Sequence, residues 1–205
     1  MSRPVAGEIA AVAARLVVAE GLEYGAAKRR ALRELGGRAG RNADLPNNEL
    51  VEDEVRDYLA IFCADSHPGE LRALREVALG WMERLQDFRP HLAGAVWRGT
   101  ATRLSAVHVE LYCDDPKSAE IALINLGIDF DVGALERRGA DPASVLSVTT
   151  YSRGLSDHVT VHLSVLDHVD QRGALKPDSQ GRTWRGDLAA LRQLMSAPAV
   201  PTGKL

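Results

Sequence analysis

Cysteine is scarce. Cys63 and Cys113 are the only two in 205 residues, which excludes a disulfide framework and a four-cysteine zinc site. That usage fits a reducing cytoplasm. Excess positive charge is also missing. Lys and Arg number 25 against 28 Asp and Glu, for a formal net charge of −3. The chain as a whole is therefore not an electrostatic nucleic-acid binder, and no DNA partner is expected. Long uncharged apolar runs are absent too. Near the start, Glu8, Arg15 and Glu20 interrupt the apolar residues. The stretch is too charged to span a bilayer, and Arg15 sits where a signal peptide would need its uncharged core. It reads as a helix of a cytoplasmic protein with no membrane partner. No P-loop, dinucleotide fingerprint, Ser/His/Asp motif or metalloprotease motif occurs, which argues against a P-loop kinase or ligase. What is present is an ordinary balance, 45% hydrophobic and 26% charged. A chain of this size buries a sizeable core unaided.

The apolar spacing changes halfway along. Val5, Ile9, Val12, Ala13, Leu16 and Val17 recur at helical intervals, and the same period continues from Tyr24 to Leu35. Pro46-Asn47-Asn48 caps a third helix, and Ser66-His67-Pro68 opens a fourth that ends at Arg89-Pro90. Beyond Pro90 the pattern alternates. Ala93–Arg98, Val107–Tyr112, Ile128–Val132, Val145–Tyr151 and Val159–Leu166 read as strands. Asp114-Asp115-Pro116 opens a helix between the second and third of these. Residues from Asp167 to Gly186 read as a loop, and Asp187–Ser196 as a last helix. These elements predict an α+β fold: a helical module over 1–88, a small mixed sheet with helices over 89–197, and a tail over 198–205.

One segment carries a resemblance. In AVWRGTATRLSAVHVELY a strand leads to Gly99-Thr100, a short loop with Ser105, and an alternating strand. This resembles the nucleotidyltransferase fold of the polymerase-beta-like and minimal nucleotidyltransferases, and the whole looks similar to uncharacterised bacterial proteins of that superfamily. Their signature places Gly-Ser after the first strand and Ser-Asp-x-Asp at the second. The glycine lets backbone N–H groups approach a triphosphate. Two carboxylates spaced two apart share one strand face and hold two magnesium ions. The resemblance assigns phosphate or nucleotide binding to Gly99, Thr100 and Ser105. Ala106 and His108 then occupy the positions of the metal carboxylates. Sliding the register to His108 and Glu110 recovers one acid and loses the serine match. A third acid, expected on Val159–Leu166, is replaced by His162 or Ser164. The resemblance therefore implies a catalytically degenerate member that binds a nucleotide, RNA or a protein partner, the last through the helical module. The alternative is an active enzyme with an atypical site, in which Glu110, Asp114 or Asp115 holds magnesium or another divalent metal. A purely structural or regulatory interaction protein is the third reading.

Other constellations stand beside it. His108, Glu110 and His162 would make a His/His/Glu metal set if their strands were neighbours; otherwise they are a solvated polar face. His158 and His162 lie about 13 Å apart by strand rise and cannot share a metal. Asp129 and Asp131 form an Asp-x-Asp at a helix exit. Lys28, Arg29, Arg30 and Arg33, with Arg38 and Arg41 beyond, form a basic run. It reads either as an anion patch or as the complement of the acids Glu49, Glu52 and Asp53 on the next helix. No aromatic is interleaved with these arginines, so base stacking has no support there.

Overall fold

The computed structural model describes residues 6–37, 45–136, 142–171 and 181–197. It is α+β, with seven α-helices and a six-stranded mixed sheet among the described residues. The chain forms two compact units. One comprises Met1–Leu71 with Thr100–Ser105, the other Arg72–Gly99 with Ala106–Leu205. No helix among the described residues is long and apolar enough to cross a membrane.

The first unit is built from α1 (Ala6–Glu20), α2 (Tyr24–Glu34), α3 (Asn48–Phe62) and the opening turn of α4 (His67–Arg84). Its core is the set of positions that recur at helical spacing: Ile9, Ala13 and Leu16 against Ala27, Ala31 and Leu32, and Val51, Val55 and Leu59. Burying such stripes is what stabilises helices of this length. Asn47 caps α3 by accepting a 2.8 Å hydrogen bond from the Leu50 N–H, as its sequence signal indicates. Arg38 and Arg41 lie outside the described residues.

The second unit holds the sheet, in the order β3-β4-β5-β2-β1-β6. The strands are β1 (His91–Ala93), β2 (Val107–Cys113), β3 (Asp131–Leu135), β4 (Ala143–Ser152), β5 (Asp157–Asp167) and β6 (Arg185–Asp187). β2 and β5 run parallel, while the other neighbours are antiparallel. Leu92, Val107, Val109, Leu111, Val161 and Leu163 are fully buried on one face. α6 (Lys117–Asn125) meets β2 and α7 (Leu188–Ser196) meets β1 and β6, burying Ala119, Leu123 and Leu191.

Three segments differ from the sequence reading. The strand expected at Ala93–Arg98 stops at Ala93, and Gly94–Arg98 is a short helix, α5. Gly94 at φ 68° and Gly99 at φ 80° bracket it. Left-handed backbone at Gly94 cannot continue a strand, and glycine adopts it without steric cost. The strand expected from Ile128 begins instead at Asp131, because Gly127 at φ 66° turns the chain out of α6 first. Arg185–Asp187, at the junction of the expected loop and last helix, is an edge strand, too short to show a period of its own.

Candidate functional site

Residues paired across neighbouring strands point to the same face of a sheet. The pairings here set Ala93 beside His108, His108 beside His162 and His162 beside Ser147. One step along, His91 pairs with Glu110 and Glu110 with Ser164. At the edge, Arg185 pairs with Ala93. The sheet face opposite the apolar core thus carries His91, His108, Glu110, Tyr112, His162, Ser164 and Arg185. The strand order brings together the His108, Glu110 and His162 set, which spacing alone could not do.

Side-chain geometry gives this face its character. Arg185 Nη1 donates to a Glu110 carboxylate oxygen and, at 3.0 Å, to the Tyr112 hydroxyl. The Tyr112 hydroxyl donates to Glu110 Oε2 at 2.6 Å. Glu110 and Arg185 are only 18% and 28% exposed, so water screens their attraction weakly. Burial, reinforced by the Glu110 carboxylate, pushes the Tyr112 phenol well above its ordinary range. Burial alone would lower the Arg185 guanidinium, but Glu110 and Tyr112 outweigh it and the net shift is upward. His91 is buried, donates from Nδ1 to the Arg89 carbonyl at 2.8 Å, and meets the Tyr112 ring edge-on at 5.1 Å. The His108 and His162 rings lie 5.1 Å apart, and His162 Nδ1 bonds Ser147 Oγ at 2.9 Å.

This arrangement does not suit a pair of magnesium ions. β2 holds one carboxylate, Glu110, and an arginine neutralises it. The other donors are imidazoles, which are ligands for softer metals. Among the described residues, no group of three or more His, Cys, Asp or Glu could hold a metal ion. Asp114 and Asp115 follow the end of β2 and are exposed. Asp115 accepts the Lys117 N–H at 2.9 Å, which starts α6. Cys113 is half-buried, and burial together with Asp115, Asp114 and Asp167 pushes its thiol up, away from the reactive thiolate.

The Gly-Thr segment falls as follows. Gly99 ends α5 in the left-handed region. Thr100 is 2% exposed, and its hydroxyl has no hydrogen-bond partner among the described residues. Ser105 Oγ accepts the Thr102 N–H at 3.0 Å, so that hydroxyl is engaged within its own loop. Ala106 precedes β2, whereas His108 and Glu110 lie within it. Of the two registers read from the sequence, only the one with His108 and Glu110 has both positions within the strand. The first glycine after β1 is Gly94, and a Cβ there would lie 3.5 Å from His108 Cδ2. Sequence reasoning missed Gly94. The signal was a glycine interrupting an otherwise weak alternation. Arg185 and Tyr112 were missed as partners because their contact crosses 73 residues of chain.

The basic run occupies α2. Arg29 and Arg33 are exposed. Arg30 pairs with Glu20 at 2.5 Å and Glu34 at 3.1 Å. Lys28 Nζ donates to the Pro46 carbonyl and Asn48 Oδ1 at the start of α3. Glu52, an acid expected opposite the run, bonds Arg56 on its own helix. Asp129 and Asp131 are both exposed, and β3 is an edge strand.

No protein-family model and no curated protein matches the chain. Among solved structures, it is similar to "Structure of Cid1 in complex with the UTP analog UMPNPP", with 14% identity and a TM-score of 0.35 over 54% of this chain. It is also similar to "Structural Basis for the Activity of a Cytoplasmic RNA Terminal U-transferase", with 15% identity and a TM-score of 0.34. A third is the MgGTP-bound Cid1 poly(U) polymerase, with 11% identity and a TM-score of 0.34. The matched part spans between 36% and 38% of those chains.

Proposed function

We propose that the chain is a nucleotidyltransferase-like protein that binds a nucleotide ligand and does not perform two-metal nucleotidyl transfer. One observation carries this reading. Glu110, the one acid of β2, is held by Arg185 and Tyr112, while His108 and His162 take the neighbouring positions on the same face. Clamping two divalent ions for in-line displacement needs anionic ligands that bridge them. A neutralised glutamate beside two imidazoles does not supply them. The same substitution favours direct anion binding. With Glu110 neutralised, the histidines of this face are hydrogen-bond donors without a competing free carboxylate on β2, and phosphate oxygens are acceptors.

The test has two arms on the full chain. Pyrophosphate release from nucleoside triphosphates, with magnesium and then manganese, stays at background. Calorimetric titration with ATP in the presence of a chelator shows saturable binding that weakens in the His108→Ala/His162→Ala variant. Pyrophosphate release that disappears in Glu110→Ala would overturn the loss of transfer. Absence of ATP binding would overturn the ligand assignment.

A further inference from the structure

The polar face of the sheet continues past His162, away from Glu110. The register pairs Ser147 with His162, Thr149 with Thr160 and Tyr151 with His158. These pairs are two residues apart along β4 and β5, so all of them share the face that carries His108. Exposure rises along this direction. Ser147 and His162 are half-buried, whereas Thr149, Thr160, Tyr151 and His158 are exposed. The Tyr151 and His158 rings meet edge-on at 5.4 Å, and Tyr151 stays 56% exposed. A neighbouring ring thus orients the phenol while aromatic surface remains open to a planar group.

The chemistry of the face changes in steps along β4 and β5. Imidazoles stand at His108 and His162, hydroxyls that donate and accept at Thr149 and Thr160, and an aromatic pair at Tyr151 and His158. His158 and His162 are four residues apart on β5, about 13 Å by strand rise. Phosphate, sugar and base follow one another in that order in a nucleoside triphosphate, and the extended molecule is long enough to cover the distance. Charge sets the side of the face on which it lies. Beyond β4 the surface falls into a hollow of about 510 Å³ walled by Asp129, Phe130, Asp131, Ser147 and Thr149. Its two exposed aspartates disfavour a phosphate chain there. The Glu110 carboxylate, by contrast, is neutralised by Arg185. The phosphates are therefore directed to the β5–β2 side and the base to the end at Tyr151.

Resting on the nucleotide reading above, we propose that the base of the ligand stacks on Tyr151, with its sugar over Thr149 and Thr160 and its phosphates at His162 and His108. The probes are ATP and inorganic tripolyphosphate, which has the phosphates without sugar or base. Each is titrated calorimetrically into the full chain in the presence of a chelator. Both should bind the parent. Tyr151→Leu should weaken ATP about tenfold, the loss of one base–aromatic stack, and leave tripolyphosphate unchanged. Tyr151→Phe keeps the ring and should bind ATP as the parent does. Stacking tolerates any base, so UTP should lose affinity in Tyr151→Leu as well. A purely structural role for the Tyr151–His158 pair would weaken ATP and tripolyphosphate alike, and that result would overturn the proposal. So would ATP affinity unchanged in Tyr151→Leu, or ATP binding with no binding of tripolyphosphate. In each of those results the parent still binds ATP, and only the placement of the base or phosphates is lost. Failure of the parent to bind either probe would instead overturn the nucleotide reading, and this placement with it.

Discussion

Replacing Arg185 with methionine keeps much of its apolar stem and removes the charge that neutralises Glu110. The cost follows from burial. Fully buried ion pairs lose about 3–5 kcal/mol when one partner is removed, because the other charge is left stranded. Exposed pairs lose about 1 kcal/mol or less. With side chains 18% and 28% exposed, Glu110 and Arg185 fall between these limits. Tyr112, 2% exposed, adds a hydroxyl that must keep a partner. We expect Arg185→Met to destabilise the sheet unit by about 2 kcal/mol. For a chain of this size that lowers the melting temperature by about 4–8 °C. The assay is thermal unfolding followed by near-ultraviolet circular dichroism. Glu110→Gln removes the stranded charge, so Arg185→Met/Glu110→Gln should cost less than the two single losses added together, by about 1 kcal/mol or more. A shift below about 1 °C for Arg185→Met, or strict additivity in the double variant, would refute the claim that this pair neutralises the site.

The Tyr112 phenol is pushed up relative to the unfolded chain. Its protonated form is favoured in the fold, so the associated stability is fully present below the ordinary tyrosine range and is lost as pH rises above it. Alkaline unfolding should therefore steepen above about pH 10 in the parent and be shallower in Tyr112→Phe, read as the difference in tyrosinate absorbance. Asn47→Ala removes the acceptor at the start of α3 and should lower stability by about 1 kcal/mol in urea unfolding; Asn47→Asp should retain most of it.

The helical unit was legible because its signals are local. A cap such as Asn47 and stripes such as Val51, Val55 and Leu59 depend on neighbours three or four residues away. β2, β4 and β5 were legible for the same reason, since alternation over seven or more residues is its own signal. The errors cluster where an element is short. β1 and β6 have three residues each, too few for a period, and both were displaced or missed.

The candidate site divides along the same line. That β2 lacks a pair of carboxylates is written in Val107–Cys113 itself, and no partner strand is needed to see it. What becomes of the remaining acid is not written there. Arg185 meets Glu110 across 75 residues of chain, and only because β6 lies beside β1, and β1 beside β2. His162 reaches His108 by the parallel pairing of β5 with β2, which sequence spacing leaves open. The absence of a second carboxylate is thus a property of a single strand, whereas the surroundings of the first are a property of strand order. A glutamate alone on a strand remains a candidate metal ligand until the cation facing it is known. Here that cation comes from an edge strand in a segment that reads as loop, so the neutralised site becomes visible only when the sheet is assembled.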